Sequence, residues 1–521
     1  MKEKKKFVLS ALSLLLFAAV VVSGGCGGGG ESGVEAGDIA SFEELEMMTS
    51  ADLASSDAEV RRKLNEMLVT EGYTISGDQV LSGDTVVLDY SAVSEDNAAG
   101  GAIAGASDPK KGLPWMAGKL SKFTWDAHWS GYDWRGLSGV KMKYWTSNQS
   151  GSLVVADAAV FIPHTFSSTT APILAIQHPT EVMRKNSPSK LVRDGRWPYD
   201  PTDPAQVQML LCELAARCGY IVVIADYLGM GENMDIHPYC QELLAKNVAD
   251  AIDAVKDLKI NSGNPVTWDQ KKILLMGFSE GAYATMSAAK ELQANYAKDL
   301  PMTAVACLDG PYSLTGAMRE LMLYADDKFI APFFLPYVLN GYSAAYGSTI
   351  PELDFRYAVR NDLSGYKDYP ARLQQYMDGS YSGDQINDLI KSPFLPDNYT
   401  GPSVILTTSF RSLLESMVEN PVTSTLAKNN SFAGWSPAVP LRMFHNVSDD
   451  IVPYANLTEA KAAFDAAGSV RVTTEPFEEY VDSSEVGDCI HEQAYIPAFM
   501  RGFYWLDSYA YGNRFTPYSP D

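Results

Sequence analysis

Six short apolar runs alternate with stretches of helical periodicity between residues 172 and 474, and this alternation limits the fold more than any other feature. The runs cover residues 172–177, 220–225, 273–277, 303–308, 441–444 and 470–474. Helical patterns occupy 206–218, 241–258, 281–294 and 457–467, and a last helix is expected over 494–509. Strands that are apolar along nearly their whole length must be covered on both faces, as in a mostly parallel α/β sheet with helices on either side. Before them, residues 140–145 and 153–162 read as an antiparallel pair, the second bounded by Pro163. No internal repeat is visible. A chain of 521 residues that is 46% hydrophobic and 20% charged can bury a large core, which argues against global disorder. Its net charge of −23 argues against nucleic acid or an anionic membrane surface as a partner, because both select basic faces.

The rhythm breaks once. Between Leu308 and Leu441 no core strand is evident, although one strand–helix–strand unit needs only about 30 residues. The surplus is rich in aromatics (Phe329, Phe333, Phe334, Tyr337, Tyr342, Tyr346, Phe355, Tyr357) and predicts an inserted cap over 316–436. Those aromatics are expected to form the cap's own small core, with a substrate-facing wall as the second reading. The core then divides into a first part, 113–315, and a second, 437–521. Residues 27–112 are expected to form a tether and a small extension. That stretch carries one amphipathic helix (58–71) and one strand-like run (85–90).

Gly277-Phe278-Ser279-Glu280-Gly281 falls where an apolar run gives way to a helical pattern. Gly-x-Ser-x-Gly at such a junction predicts a nucleophile elbow: a sharp turn lifts the serine clear, and close approach of strand and helix requires the flanking glycines. A serine hydroxyl at its ordinary pKa is a weak nucleophile, so a base and an orienting acid must lie elsewhere. His491, in a loop before the last helix, supplies the imidazole. The segment His445 to Pro453 offers Asp449 as the acid, with Asp450 its nearest rival. Two backbone N–H groups should stabilise the oxyanion, one of them that of Glu280. The Glu280 carboxylate, at a helix N-terminus, is expected to act as a cap.

These motifs, together with Asp226-Tyr227-Leu228-Gly229-Met230-Gly231 and His237-Pro238-Tyr239, resemble the secretory-lipase branch of the α/β-hydrolases, the group that contains fungal lipase A. The resemblance runs roughly over residues 140–507. It implies a catalytic triad in the chain order Ser279, Asp449, His491, with the acid loop ending in the family's D-x-x-V-P pattern. It also implies that Thr180 donates the second oxyanion N–H. Here His178-Pro179-Thr180 stands where relatives carry His-Gly-Thr. The implied activity is carboxylic ester hydrolysis (esterase or lipase) on a small-molecule or lipid ester, with no metal or organic cofactor. Rival readings are a peptidase of the prolyl-oligopeptidase type, an acyltransferase, or a surface-anchored binding module on an inactive scaffold. The first would need a large upstream domain that 112 low-complexity residues cannot supply.

The N-terminus predicts export. Residues 1–6 (MKEKKK) are basic and 7–22 form an apolar run too short to span a bilayer, the anatomy of a bacterial signal peptide. Ser23-Gly24-Gly25-Cys26 then resembles a lipobox, with Cys26 the lipidated residue and the glycines after it a flexible tether. A membrane-anchored lipoprotein is expected, otherwise a secreted or periplasmic protein, with the lipid as its one membrane contact. Of the other cysteines, Cys212 and Cys307 are expected to be buried thiols, and export would permit a Cys240–Cys489 disulfide.

Overall fold

The computed structural model describes residues 34–92, 113–128, 134–192, 199–201, 203–261, 265–394, 398–478, 489–512 and 514–515. The signal segment and Cys26 lie outside them. Nine strands line up in the main sheet: β1 Ile39–Glu44, β2 Trp134–Ser147, β3 Leu153–Thr165, β4 Thr170–Gln177, β5 Ile221–Ala225, β6 Thr267–Phe278, β7 Met302–Leu308, β8 Leu441–Asn446 and β9 Val472–Phe477. Their order is β1-β2-β3-β5-β4-β6-β7-β8-β9, with the two residues Met48–Thr49 pairing beside β2. From β5 through β9 every neighbouring pair is parallel; β1, β2 and β3 run antiparallel to their neighbours. Burial explains the apolar runs: all five residues of β5 are buried, as are the last six of β6.

The principal helices among the described residues are α1 Ser50–Thr70, α2 Leu113–His128, α3 Pro204–Arg217, α4 Gln241–Asp257, α5 Glu280–Glu291, α6 Ala317–Tyr324, α7 Phe334–Tyr346, α8 Tyr369–Tyr376, α9 Gly383–Lys391, α10 Thr408–Glu415, α11 Pro421–Lys428, α12 Ala455–Ala466 and α13 Tyr495–Tyr511. One core joins a face of the sheet to α4, α5 and α12 and continues into the helices α6–α11. A second core joins the other face to α1, α2, α3 and α13. Helices therefore cover both faces, as a parallel sheet requires. Helices α6–α11 fill the span between β7 and β8 and add no strand to the main sheet, so the interruption in the strand rhythm is a helical cap. Among the described residues no helix is long and apolar enough to cross a membrane.

Of the expected N-terminal extension, residues 34–92 are described, and they pack onto the core. β1 pairs with β2 and lengthens the sheet by one strand. α1 sets Leu53, Val60, Leu64 and Leu68 on one buried face, the spacing of an amphipathic helix. Its Asp57 receives two hydrogen bonds of 2.7 Å from the guanidinium of Arg217 at the end of α3. Residues 74–76, 79–82 and 85–89 make a separate three-stranded antiparallel sheet.

Candidate active site

β6 ends at Phe278 and α5 begins at Glu280, leaving Ser279 alone to turn the chain. It does so at φ 58° and ψ −123°, in the left-handed half of backbone space that a side chain seldom adopts. Its N–H is held by the carbonyl of Leu308 at the end of β7, 2.9 Å away. The flanking glycines are required by space. A Cβ on Gly277 would lie 2.3 Å from the carbonyl oxygen of Gly281, and one on Gly281 would lie 2.0 Å from that of Gln177. The second contact presses the start of α5 against the end of β4, where the segment His178-Pro179-Thr180 begins. The N–H of Glu280 and the loop bearing Thr180 are therefore neighbours.

The acid and the imidazole meet directly. His491 Nδ1 donates to Asp449 Oδ2 across 2.6 Å, and both side chains are buried. The other oxygen of Asp449 accepts the N–H groups of Ile451 and Val452 at 2.9 and 2.7 Å, so the Asp-x-x-Val-Pro loop closes on its own carboxylate. Asp450 turns to the backbone instead, accepting the N–H groups of Ile490 and His491 at 3.2 and 3.1 Å. It anchors the histidine loop while Asp449 holds the ring. The ring also packs on Phe278, centroids 4.7 Å apart. His491 Nε2 is buried and makes no hydrogen bond, to Ser279 or to any other described group. Burial pulls the imidazole's pKa down, but the charge and hydrogen bond of Asp449 outweigh it and the net shift is upward. Burial pushes the Asp449 carboxyl up; the imidazole of His491, His445 and the Val452 N–H outweigh that and hold it low.

A second acid, absent from the sequence-based expectations, lies alongside. Asp309 follows β7 at φ 48°, fully buried, and accepts the N–H of Asn446 at 2.7 Å. Burial and the charge of Asp449 push its carboxyl well above the ordinary range. Asp309, His445 and Asp449 are the one trio among the described residues whose polar atoms are spaced for a metal ion. Asp449 is already committed to His491 and two backbone N–H groups, and His445 Nε2 donates to the carbonyl of Val452 at 2.8 Å. The trio therefore belongs to the acid loop's internal bonding. The signal in the sequence is an acid immediately after an apolar run, where a parallel sheet collects its polar groups.

Two expectations require correction. The Glu280 carboxylate does not cap α5: it is 1% exposed and hydrogen-bonded to His237 Nε2 at 2.5 Å. His237 comes from the loop between β5 and α4, a partner 43 residues away that no local pattern reveals. Cys240 and Cys489 are both free. Cys240 precedes α4 and faces Tyr346, whereas Cys489 packs with Phe329, Ile451 and Val452 in a separate cluster.

Above Ser279 lies an apolar cavity. Leu314, Met318, Met322, Leu339 and Leu414 are among the side chains lining it, with Ile451 and Val452 from the acid loop. Of the cap's aromatics named above, Phe334 and Tyr342 reach this wall; Phe355 is buried in the cap's core and Tyr357 is exposed. The lining is thus mainly aliphatic.

A strand order reversing between β5 and β4, a strained serine at the tip of the following strand and an imidazole held by a buried acid together define an α/β-hydrolase. The family described as Secretory lipase matches residues 201–488, more than half of the chain, and the protein belongs to that family. No curated protein matches it. Among solved structures it is similar to a Legionella pneumophila protein provisionally called a hydrolase, at 25% identity, 73% of this chain, 91% of that chain and a TM-score of 0.58. It is also similar to a ligand-bound form of LipA, the rice cell wall degrading esterase of Xanthomonas oryzae, at 19% identity, 91% and 97% coverage and a TM-score of 0.57. For Candida antarctica lipase A the identity is 19%, the coverage 72% and 78%, and the TM-score 0.47.

Proposed function

We propose that the protein is an exported serine hydrolase that cleaves carboxylic esters through an acyl-enzyme on Ser279. The observation that carries the reading is the 2.6 Å bond from His491 to Asp449, with Nε2 left free, in a fold whose elbow serine is lifted into strain. When the Ser279 hydroxyl turns toward Nε2, His491 accepts its proton as the oxygen attacks the ester carbonyl. Asp449 holds the ring in the required tautomer and stabilises its charged form. The N–H groups of Glu280 and Thr180 receive the oxyanion. His491 then gives its proton to the departing alcohol, and water, activated by the same imidazole, releases the acid. The apolar cavity under the cap suits the acyl chain. Export rests on the basic and apolar leader, and anchoring on a lipid at Cys26.

The test is hydrolysis of p-nitrophenyl and triglyceride esters from acetate to palmitate by wild type and Ser279→Ala. The variant is expected to lose about four to six orders of magnitude in kcat and all labelling by a fluorophosphonate, with its melting temperature retained. Full ester turnover by Ser279→Ala would overturn the reading.

A further inference from the structure

We infer that His237 is a positioning residue for this reaction: it keeps the carboxylate of Glu280 neutralised beside the oxyanion site. The inference rests on the serine-hydrolase reading above and adds a component to it. Its starting point is the covalent structure of Glu280. The residue whose N–H should face the oxyanion also carries a carboxylate, four bonds from that nitrogen and so no farther than roughly 5 Å from it. Left ionised and unpaired in a buried site, that group would repel the negative charge developing on the substrate oxygen.

The geometry fixes the proton count. His237 Nδ1 faces the carbonyl oxygen of Leu228 at 3.1 Å, and a carbonyl can only accept, so Nδ1 carries a hydrogen. Nε2 then meets Glu280 Oε1 at 2.5 Å, where a bare imidazole nitrogen and a bare carboxylate oxygen would repel each other. One further proton must lie between them, on either atom, and in both cases the pair has no net charge. Arg184 lines the same cavity as His237, but its guanidinium is bonded to the carbonyls of Gly229 and Asp378. The ring of His237 is surrounded by Tyr227, Tyr239 and Tyr337, with centroids 5.6 to 5.8 Å away. The other nearby imidazole, His178, is fully buried, and burial pulls its pKa down despite the pull of two carbonyls and of Glu280. The same contacts tie the pair to the cap: Tyr337 of α7 stacks on His237 at 19°, and its hydroxyl donates to the carbonyl of Glu181, next to Thr180.

A charge cycle on the full-length enzyme tests the inference. His237→Gln is expected to lower kcat on the order of a hundredfold with KM changed less than about threefold, because the unpaired carboxylate acts on the transition state and not on the bound ester. The double variant His237→Gln/Glu280→Gln removes that carboxylate and is expected to recover at least about tenfold over His237→Gln. A role confined to packing would show no such recovery. A His237→Gln enzyme with wild-type kcat, or a double variant no faster than it, would overturn the inference. Both results leave the Ser279→Ala test untouched, so the two claims fail separately. Wild-type protein labelled with ¹⁵N-histidine provides a measurement that does not depend on the folding of either His237 variant. The ring of His237, assigned by its displacement in Glu280→Gln, should show a protonated Nδ1 and a slowly exchanging low-field proton at Nε2···Oε1. Absence of that proton would also sink the inference.

Discussion

The rim of the sheet and the cap above it contribute opposite kinds of surface to one site. At the rim, polar groups are held by short bonds to named backbone atoms. Ser279 is tied to Leu308, Asp449 to Ile451 and Val452, and the His491 N–H to Asp450. The cap contributes mainly Met, Leu and Val side chains, which offer apolar surface rather than a set of oriented polar groups. A substitution at the rim should therefore change how fast bonds break, and one in the cap should change which substrate is accepted.

The hardest test of that division is between two adjacent acids. Asp449→Asn should lower kcat about ten-thousandfold by removing the charge that orients and stabilises the imidazole. Asp450→Asn, which weakens only a loop anchor, should cost about tenfold or less; equal losses would erase the distinction drawn from their hydrogen bonds. The pH profile sharpens it. His491 must be neutral to act as base, and its pKa is raised by Asp449, so kcat/KM should rise with pH through a midpoint above the ordinary value of about 6.5. In Asp449→Asn the midpoint of whatever activity is left should move down, because the charge that raised it is gone.

In the cap, Met322→Trp should narrow the cavity. Cleavage of palmitate esters should fall at least about tenfold relative to acetate esters, while acetate turnover stays within about threefold. An equal loss on both substrates would mean that cap and rim are not separable. The smallest expected effect on catalysis comes from the far side of the sheet. Asp57→Ala removes one carboxylate partner of the buried Arg217 and should reduce stability by about 2 kcal/mol, read as a lower melting temperature, with the ester kinetics unchanged.

The same division governs what could be read from the sequence. Central strands are buried on both faces, so β4 to β8 stand out as apolar runs. Near β9 the expected run began at residue 470, but Val470 is 92% exposed and the strand starts at Val472. β1 escaped notice because an edge strand leaves most of its side chains exposed or half-buried and so reads as polar. α2 was hidden by Lys119 and Lys122, charged residues that are nevertheless buried, the latter paired with Asp126 one turn on. Ser279, His491 and Asp449, the proposed nucleophile, base and orienting acid, were legible because the proposed chemistry demands those residue types. Thr180 was reached by resemblance alone. The bond between Glu280 and His237 arises only when a loop from one crossover folds over the start of another, and no periodicity records that.

Adjacent strands are stitched together at the rim: the N–H of Ser279 reaches the carbonyl of Leu308, that of Asp309 the carbonyl of Phe444, and that of Val447 the carbonyl of Phe477. The ladder thus serves as a ruler graduated in steps of about 3.3 Å, the rise of one residue. A deletion within β8 would slide the acid by a full graduation, farther than any proton-sharing contact tolerates, whereas added length beyond the rim would be absorbed by loops. Evolution can rebuild the roof of this enzyme freely, but not the spacing of its teeth.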